Sequence, residues 1–202
     1  MLKLIIVRHG VTEWNKEGRL QGKKDIPLSK EGEEQADKLA KRLKDEKIDI
    51  IYSSPLKRAY KTAETINRYH KLEIKTEEGL KEISYGIFDG ISKEEREKDD
   101  NLKKIWAERK KDLLNNKFEG GESFADLLKR VERSLKKILD NDKKTILVVC
   151  HGQTKRALVK LLTNMSIEEI HMQRFKTTAV SIFEIDKKEA KTILINCAKH
   201  LE

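Results

Sequence analysis

Two segments of this chain run four or five aliphatic residues and then stop on His-Gly. The first is Leu4-Ile5-Ile6-Val7 leading into Arg8-His9-Gly10, and the second is Ile146-Leu147-Val148-Val149-Cys150 leading into His151-Gly152. A short apolar run bounded by glycine reads as a strand buried on both faces, the kind found in parallel sheets covered by helices on both sides. Such sheets open their ligand crevice just past the carboxyl ends of the strands. Two imidazoles at two strand ends can therefore converge on one crevice. That points to an α/β fold with its chemistry at one sheet edge.

The rest of the chain alternates in the way that fold requires. Ser29 reads as the cap of a helix to about Asp45, with Ala36, Leu39, Ala40 and Leu43 at helical spacing. Ile48 to Tyr52 is a second expected strand. Ser54 is the expected N-cap, and Pro55 the first residue, of a helix to about Tyr69. Leu72 to Thr76 is a third strand, and Glu77 to Gly90 a loop. Ser92 to Asn116 is charged and helical, anchored only by Leu102, Ile105, Trp106, Leu113 and Leu114. Ser123 precedes a helix to about Asp140, and further helices are expected from Thr154 to about Thr163 and after Ser166. Strands at Thr178 to Ile185 and Thr192 to Asn196 close the chain. The pattern predicts a three-layer α/β/α sandwich around a mostly parallel central sheet. It is expected to form one domain over residues 1–202, with a helical insertion or lid at about 92–118.

Charge decides between classes of partner. The net charge of +9 comes from 44 Lys and Arg against 35 Asp and Glu, a balance that can mark a nucleic-acid binder. Here basic and acidic residues interleave along helical stretches such as Lys93 to Asp112, and aromatics are only 5%, too few for a base-stacking strip. Solvated helix faces account for the charge, and no nucleic acid is expected. No run approaches a membrane span. Met1 to Val7 is too short for a signal-peptide core and is cut by Arg8, so a cytoplasmic location is expected. Cys150 and Cys197 make no disulfide framework. No HxxxH or CxxC spacing supports a metal-dependent hydrolase.

The residues at the expected sheet edge share one chemistry. Arg8 and His9 end the first strand, Asn15 lies in a loop that must fold back over the strand ends, and Arg58 lies in the first turn of the helix starting at Pro55. Guanidinium forks and helix N-termini, including the one after Gly152, hold tetrahedral dianions. Two histidines, two arginines and amides at one edge suggest a phosphoryl site.

The stretch Arg8-His9-Gly10-Val11-Thr12-Glu13-Trp14-Asn15 resembles the signature of the histidine phosphatase superfamily, the phosphoglycerate mutase-like proteins. The resemblance continues in order through Gly18-Arg19-Leu20-Gln21-Gly22, Pro27-Leu28-Ser29, and Ser53-Ser54-Pro55-Leu56-Lys57-Arg58-Ala59. Glu82 with Gly86 and Asp89-Gly90, Gly121-Glu122-Ser123, His151-Gly152 and the closing Asn196-Cys197-Ala198-Lys199-His200-Leu201 complete it. It implies that His9 is the nucleophile of a phosphohistidine intermediate, and that Arg8, Arg58 and His151 neutralise the transferring group without a metal or cofactor. It implies that Glu82 acts first as general acid and then as base. Asn15, Gln21, Gly22, Gly152 and Gln153 are the expected substrate and phosphate contacts. Cys150 departs from the Ser or Thr often found before the second histidine in this family. The implied activity is hydrolysis of a small phosphorylated metabolite; the alternative is a cofactor-dependent phosphoglycerate mutase, for whose extended insertion and closing tail this chain is expected to be too short. Dimers are common in similar proteins, and a homodimer stays open.

Overall fold

The computed structural model of the protein describes residues 1–186 and 189–202. Its strands are β1 (Leu2–Arg8), β2 (Ile50–Ser53), β3 (Ile74–Thr76), β4 (Thr145–Cys150), β5 (Val180–Asp186) and β6 (Glu189–Cys197). They form one sheet in the spatial order β3-β2-β4-β1-β5-β6. The pairs β1–β4, β4–β2 and β2–β3 are parallel, whereas β5 and β6 add an antiparallel edge. The helices are α1 (Glu13–Lys16), α2 (Lys30–Leu43), α3 (Lys57–Asn67), α4 (Lys93–Lys98), α5 (Asp100–Lys111), α6 (Phe124–Leu139), α7 (Gly152–Leu162) and α8 (Ile167–Met172).

Side-chain alternation along the strands sorts the core into two layers. Ile5, Val7, Leu147, Val149 and Ile51 pack with Leu39, Ala40 and Leu43 of α2 and Ala59, Ala63 and Ile66 of α3. Leu4, Ile6, Ile146, Val148 and Tyr52 pack with Phe124, Leu127, Val131, Leu135 and Ile138 of α6, and with Ala157, Leu158 and Leu162 of α7. Each large side chain buried in this way stabilises the fold by roughly 1.5–3 kcal/mol. Polar caps set the helix starts, since the Ser29 and Ser123 hydroxyls accept N–H bonds from Gly32 and Asp126. No described helix is long and apolar enough to cross a membrane.

The centre of the sheet positions the site. β1 and β4 are neighbours in register, Val7 opposite Val149 and Arg8 opposite Cys150. The next residues, His9 and His151, therefore leave the sheet side by side. A further ladder bond, His9 N–H to Cys150 O at 3.0 Å, carries the pairing one step past the strand. Gly10 then turns under α2. A Cβ there would lie 2.3 Å from Gly32 O, and one on Gly32 would lie 1.9 Å from Val11 O, so this crossing admits only two glycines.

Three expectations change. The α3 helix begins at Lys57 behind an N-cap at Leu56, not at Pro55 behind Ser54. The Ser54 hydroxyl accepts from the Leu56 N–H at 3.3 Å and also meets a histidine at the sheet edge, described below. The segment expected as one helix after Ser92 is two, broken at Asp99, whose side chain caps α5 through the Asn101 and Leu102 N–H groups. Although α5 buries no residue fully, Trp106 stacks on Phe118 at 5.3 Å between ring centroids and meets Phe88 at 5.8 Å. The Arg96 guanidinium covers the same indole at 3.9 Å. An aromatic stack, more than the aliphatic anchors, docks the segment.

Candidate active site

His9 is 2% exposed. Its Nδ1 lies 2.6 Å from Gly10 O. A carbonyl oxygen can only accept, so Nδ1 carries the proton and Nε2 keeps its lone pair. Burial first, and then the Arg58 and Arg8 charges, hold the ring's pKa well below the ordinary histidine value. His9 is therefore a neutral base at neutral pH, with Nε2 as its nucleophilic atom.

His151 faces it at 5.1 Å between ring centroids. Arg58 donates Nε–H to His151 Nδ1 at 3.1 Å, which assigns the proton of this ring to Nε2, donated to Ser54 Oγ at 2.8 Å. Arg58 is fully buried, and two of its four remaining N–H groups grip Lys24 O at 2.6 Å and Gly22 O at 2.8 Å. One guanidinium thus ties the loop after β1 to the end of β4. Burial lowers Arg58 to about 10, which leaves it charged.

Arg8 gives Nη1–H to Phe175 O at 2.8 Å, while its buried Nε has no hydrogen-bond partner. Among the described residues neither Arg8 nor Arg58 forms a salt bridge. Buried charges are normally paired, because desolvating an unpaired ion costs several kcal/mol. The charge of Glu82 acts on both arginines from beyond salt-bridge distance, so two cations against one carboxylate leave a positive site suited to an anion.

Glu82 sits on the N-terminus of α7. Its Oε1 accepts from the Ile83, Gln153 and Thr154 N–H groups, each at 3.1 Å, and its Oε2 accepts from Gln153 N–H at 3.1 Å. This corrects the expectation that the helix after Gly152 presents free amides to phosphate, since a carboxylate already uses those of Gln153 and Thr154. Glu82 lines two adjoining pockets. The inner one, about 120 Å³, includes Arg8, His9, Asn15, Gln21, Gly22 and Arg58. The outer one, about 280 Å³, includes Arg8, Tyr85, Gln153, Arg156, Arg174 and Phe175.

Every residue singled out in the sequence lies at this edge, with differences in how each is engaged. Asn15 Oδ1 accepts from the Thr12 N–H at 3.1 Å in a capping box of α1, which leaves the Nδ2 end for the inner pocket. Gln21 is buried there with an unpartnered Oε1. Gly22 has φ +49°, and a Cβ on it would collide with the Asp89 carboxylate. Gly152 leaves room for Arg8 and Glu82, both 3.6 Å from where a Cβ would stand. Gln153 faces the outer pocket, with Oε1 accepting from Arg156 Nη1 at 2.7 Å. Ser54, Arg156 and Arg174 were missed. Arg156 was reachable, because residues 153 and 156 share a helix face. Arg174 lies in a loop between α8 and β5 and carries no local signal.

The sequence profile of the histidine phosphatase superfamily (branch 1) matches residues 4–198. Phosphoserine phosphatase 1 of Hydrogenobacter thermophilus is 34% identical over 203 residues, covering 100% of this chain and 95% of that protein. The crystal structure of phosphoserine phosphatase from Entamoeba histolytica in complex with 3-phosphoglyceric acid matches with a TM-score of 0.85 and 34% identity, covering 100% of both chains. Bacillus stearothermophilus YhfR matches with a TM-score of 0.89 and 28% identity, again over 100% of both chains. From the profile and the full-length relatives, the chain belongs to the histidine phosphatase superfamily and is a phosphatase.

Proposed function

We propose that the protein hydrolyses small phosphate monoesters by way of a phosphohistidine on His9. The observation that carries this reading is the pair of buried guanidiniums, neither in a salt bridge among the described residues, around a neutral His9 Nε2. The phosphate enters the inner pocket, where Arg8, Arg58 and the Asn15 amide meet its equatorial oxygens, and His9 Nε2 attacks phosphorus in line with the leaving oxygen. The His151 Nε2–H, donated to Ser54 in the protein alone, is the further donor that a phosphoryl oxygen can take over. The leaving oxygen falls at the junction of the two pockets. Glu82 lies at that junction, and its Oε2 makes only one hydrogen bond, so it is the group that protonates the departing alcohol. The same carboxylate then removes a proton from water as that water attacks the phosphohistidine, which returns His9 to its neutral state.

The alcohol portion occupies the outer pocket. Arg174 and Arg156 line it, and its single carboxylate, Glu82, is engaged on the α7 amides. This lining favours an alcohol that carries an anionic group such as a carboxylate, in keeping with the 3-phosphoglyceric acid bound by the Entamoeba histolytica enzyme. The helical segment at about 92–118 forms a lid over this side, with Arg109 of α5 near Tyr85. Rapid acid-free quenching with phosphorus-labelled substrate and peptide mapping tests the reading. Label on His9, lost in His9→Ala with the fold intact, supports it; label elsewhere refutes it. Phosphate release rather than conversion of 3- to 2-phosphoglycerate, with bisphosphoglycerate present, separates hydrolysis from mutase activity.

A further inference from the structure

Taking His9 as the nucleophile, we infer that His200 is a positioning residue for catalysis, acting through Thr178 on the backbone of Arg8 and His9. At the end of β1 the carbonyls of both residues are met from the β5 side. One N–H, that of Thr178, serves both, at 3.0 Å to Arg8 O and 3.3 Å to His9 O. Thr178 is fully buried with φ +53°. A β-branched residue in the left-handed region costs about 1–3 kcal/mol and persists only where its surroundings over-determine it.

Those surroundings are the closing stretch of the sequence. Thr178 donates Oγ1–H to Thr177 O at 2.8 Å, so its hydroxyl oxygen is free to accept Nε2–H of His200 at 3.1 Å. The tautomer of His200 is assigned by Arg42 of α2, which donates Nη1–H to Nδ1 at 2.9 Å. Arg42 also holds Cys197 O at 3.0 Å, which docks the short turn Lys199–Leu201 on the end of α2. Burial, with Arg42 and Lys38 nearby, keeps His200 neutral, at about 4. Each link has a defined donor and acceptor, from Arg42 through His200 and Thr178 to the two carbonyls.

The consequence falls on the nucleophile. His9 has its N–H on Cys150 O, its ring on Gly10 O and its carbonyl on Thr178. With all three held, Nε2 has one position. Loosening the third lets the strand end shift, and a displacement near 1 Å at a reacting atom costs about 100-fold in rate.

His200→Ala, His200→Gln and Thr178→Val test the relay, with phosphoenzyme formation read in a single turnover beside kcat, KM and thermal midpoint. Gln keeps an amide N–H for Thr178 and an oxygen for Arg42. His200→Ala is expected to slow phosphorylation roughly 10- to 100-fold. KM should stay within about twofold. His200→Gln should recover most of the rate, and His200→Ala with Thr178→Val should be no slower than the slower single variant. Unchanged phosphorylation in a folded His200→Ala protein, no recovery with Gln, or multiplied losses in the double variant would each overturn the relay. Should His200→Ala fail to fold, the isosteric Thr178→Val carries the same readout. A wild-type protein that forms no phosphohistidine refutes the functional reading itself. One that forms it alongside equally fast variants refutes only the relay.

Discussion

Replacing Glu82 with Gln separates its structural task from its chemical one. The Ile83, Gln153 and Thr154 N–H groups all donate to Oε1, which fixes the amide with its oxygen there. The new NH₂ then falls at Oε2, where Gln153 N–H is the single donor and keeps its other bond, to Oε1. Only the charge-assisted part of these bonds is lost, about 1 kcal/mol of stability. The protein therefore folds, and rate changes report chemistry. A general acid contributes typically 10²- to 10⁴-fold, or roughly 3–5 kcal/mol of barrier, when the leaving oxygen needs a proton. An alkyl phosphate such as 3-phosphoglycerate should lose about that much in kcat/KM. p-Nitrophenyl phosphate, whose leaving group departs as an anion, should lose far less in its phosphorylation step. Steady-state rates on both substrates, with the burst of p-nitrophenol measured separately, make the comparison. Equal losses in the phosphorylation step would show that Glu82 is not the acid.

Three further outcomes follow from the same geometry. Arg58→Met removes a buried charge that depresses both imidazoles, so the acid limb of the kcat/KM–pH profile should move up toward the ordinary histidine value while the rate falls by at least about 100-fold; a lower rate with an unmoved limb would refute the electrostatic part. Arg174→Ala should raise KM for 3-phosphoglycerate and leave p-nitrophenyl phosphate unchanged; equal effects on the two would remove Arg174 from recognition. Lys155 is buried on Ala179 O and depressed from 10.5 to about 7, so between those values the unfolded chain holds a proton that the folded one has shed. Folding stability should then rise with pH by up to about 1.4 kcal/mol per unit, a slope that Lys155→Met abolishes. Urea unfolding of both proteins at several pH values above about 7 measures it, and equal slopes would refute it.

Strand ends, helix faces and most of the site were legible in the linear sequence, because burial on both faces of a parallel sheet demands continuous aliphatic runs and the resemblance tied His9, Arg58, Glu82 and His151 to one edge. Ser54 shows where local reasoning stops. Ser-Pro before a helix has the composition of a cap, and Ser54 Oγ does accept the local Leu56 N–H, but it also accepts the buried His151 Nε2–H, a long-range bond that no local pattern announces. The amides of Gln153 and Thr154 tell the same story, since their occupant comes from a loop some seventy positions away in the chain. The Trp106 stack and the pairing of Arg174 with the outer pocket likewise join segments that no periodicity connects.

The amino-acid sequence by itself determined the layers, the strands that carry the two histidines and the cationic character of the edge between them, for these depend on spacing and residue type alone. Tertiary structure alone decided which nitrogen of each imidazole bears the proton, what satisfies the helix N-terminus and how the turn at His200 reaches the carbonyl of His9 through Thr178. Those are matters of hydrogen-bond partnership between distant segments, and a donor finds its acceptor only once the chain has closed.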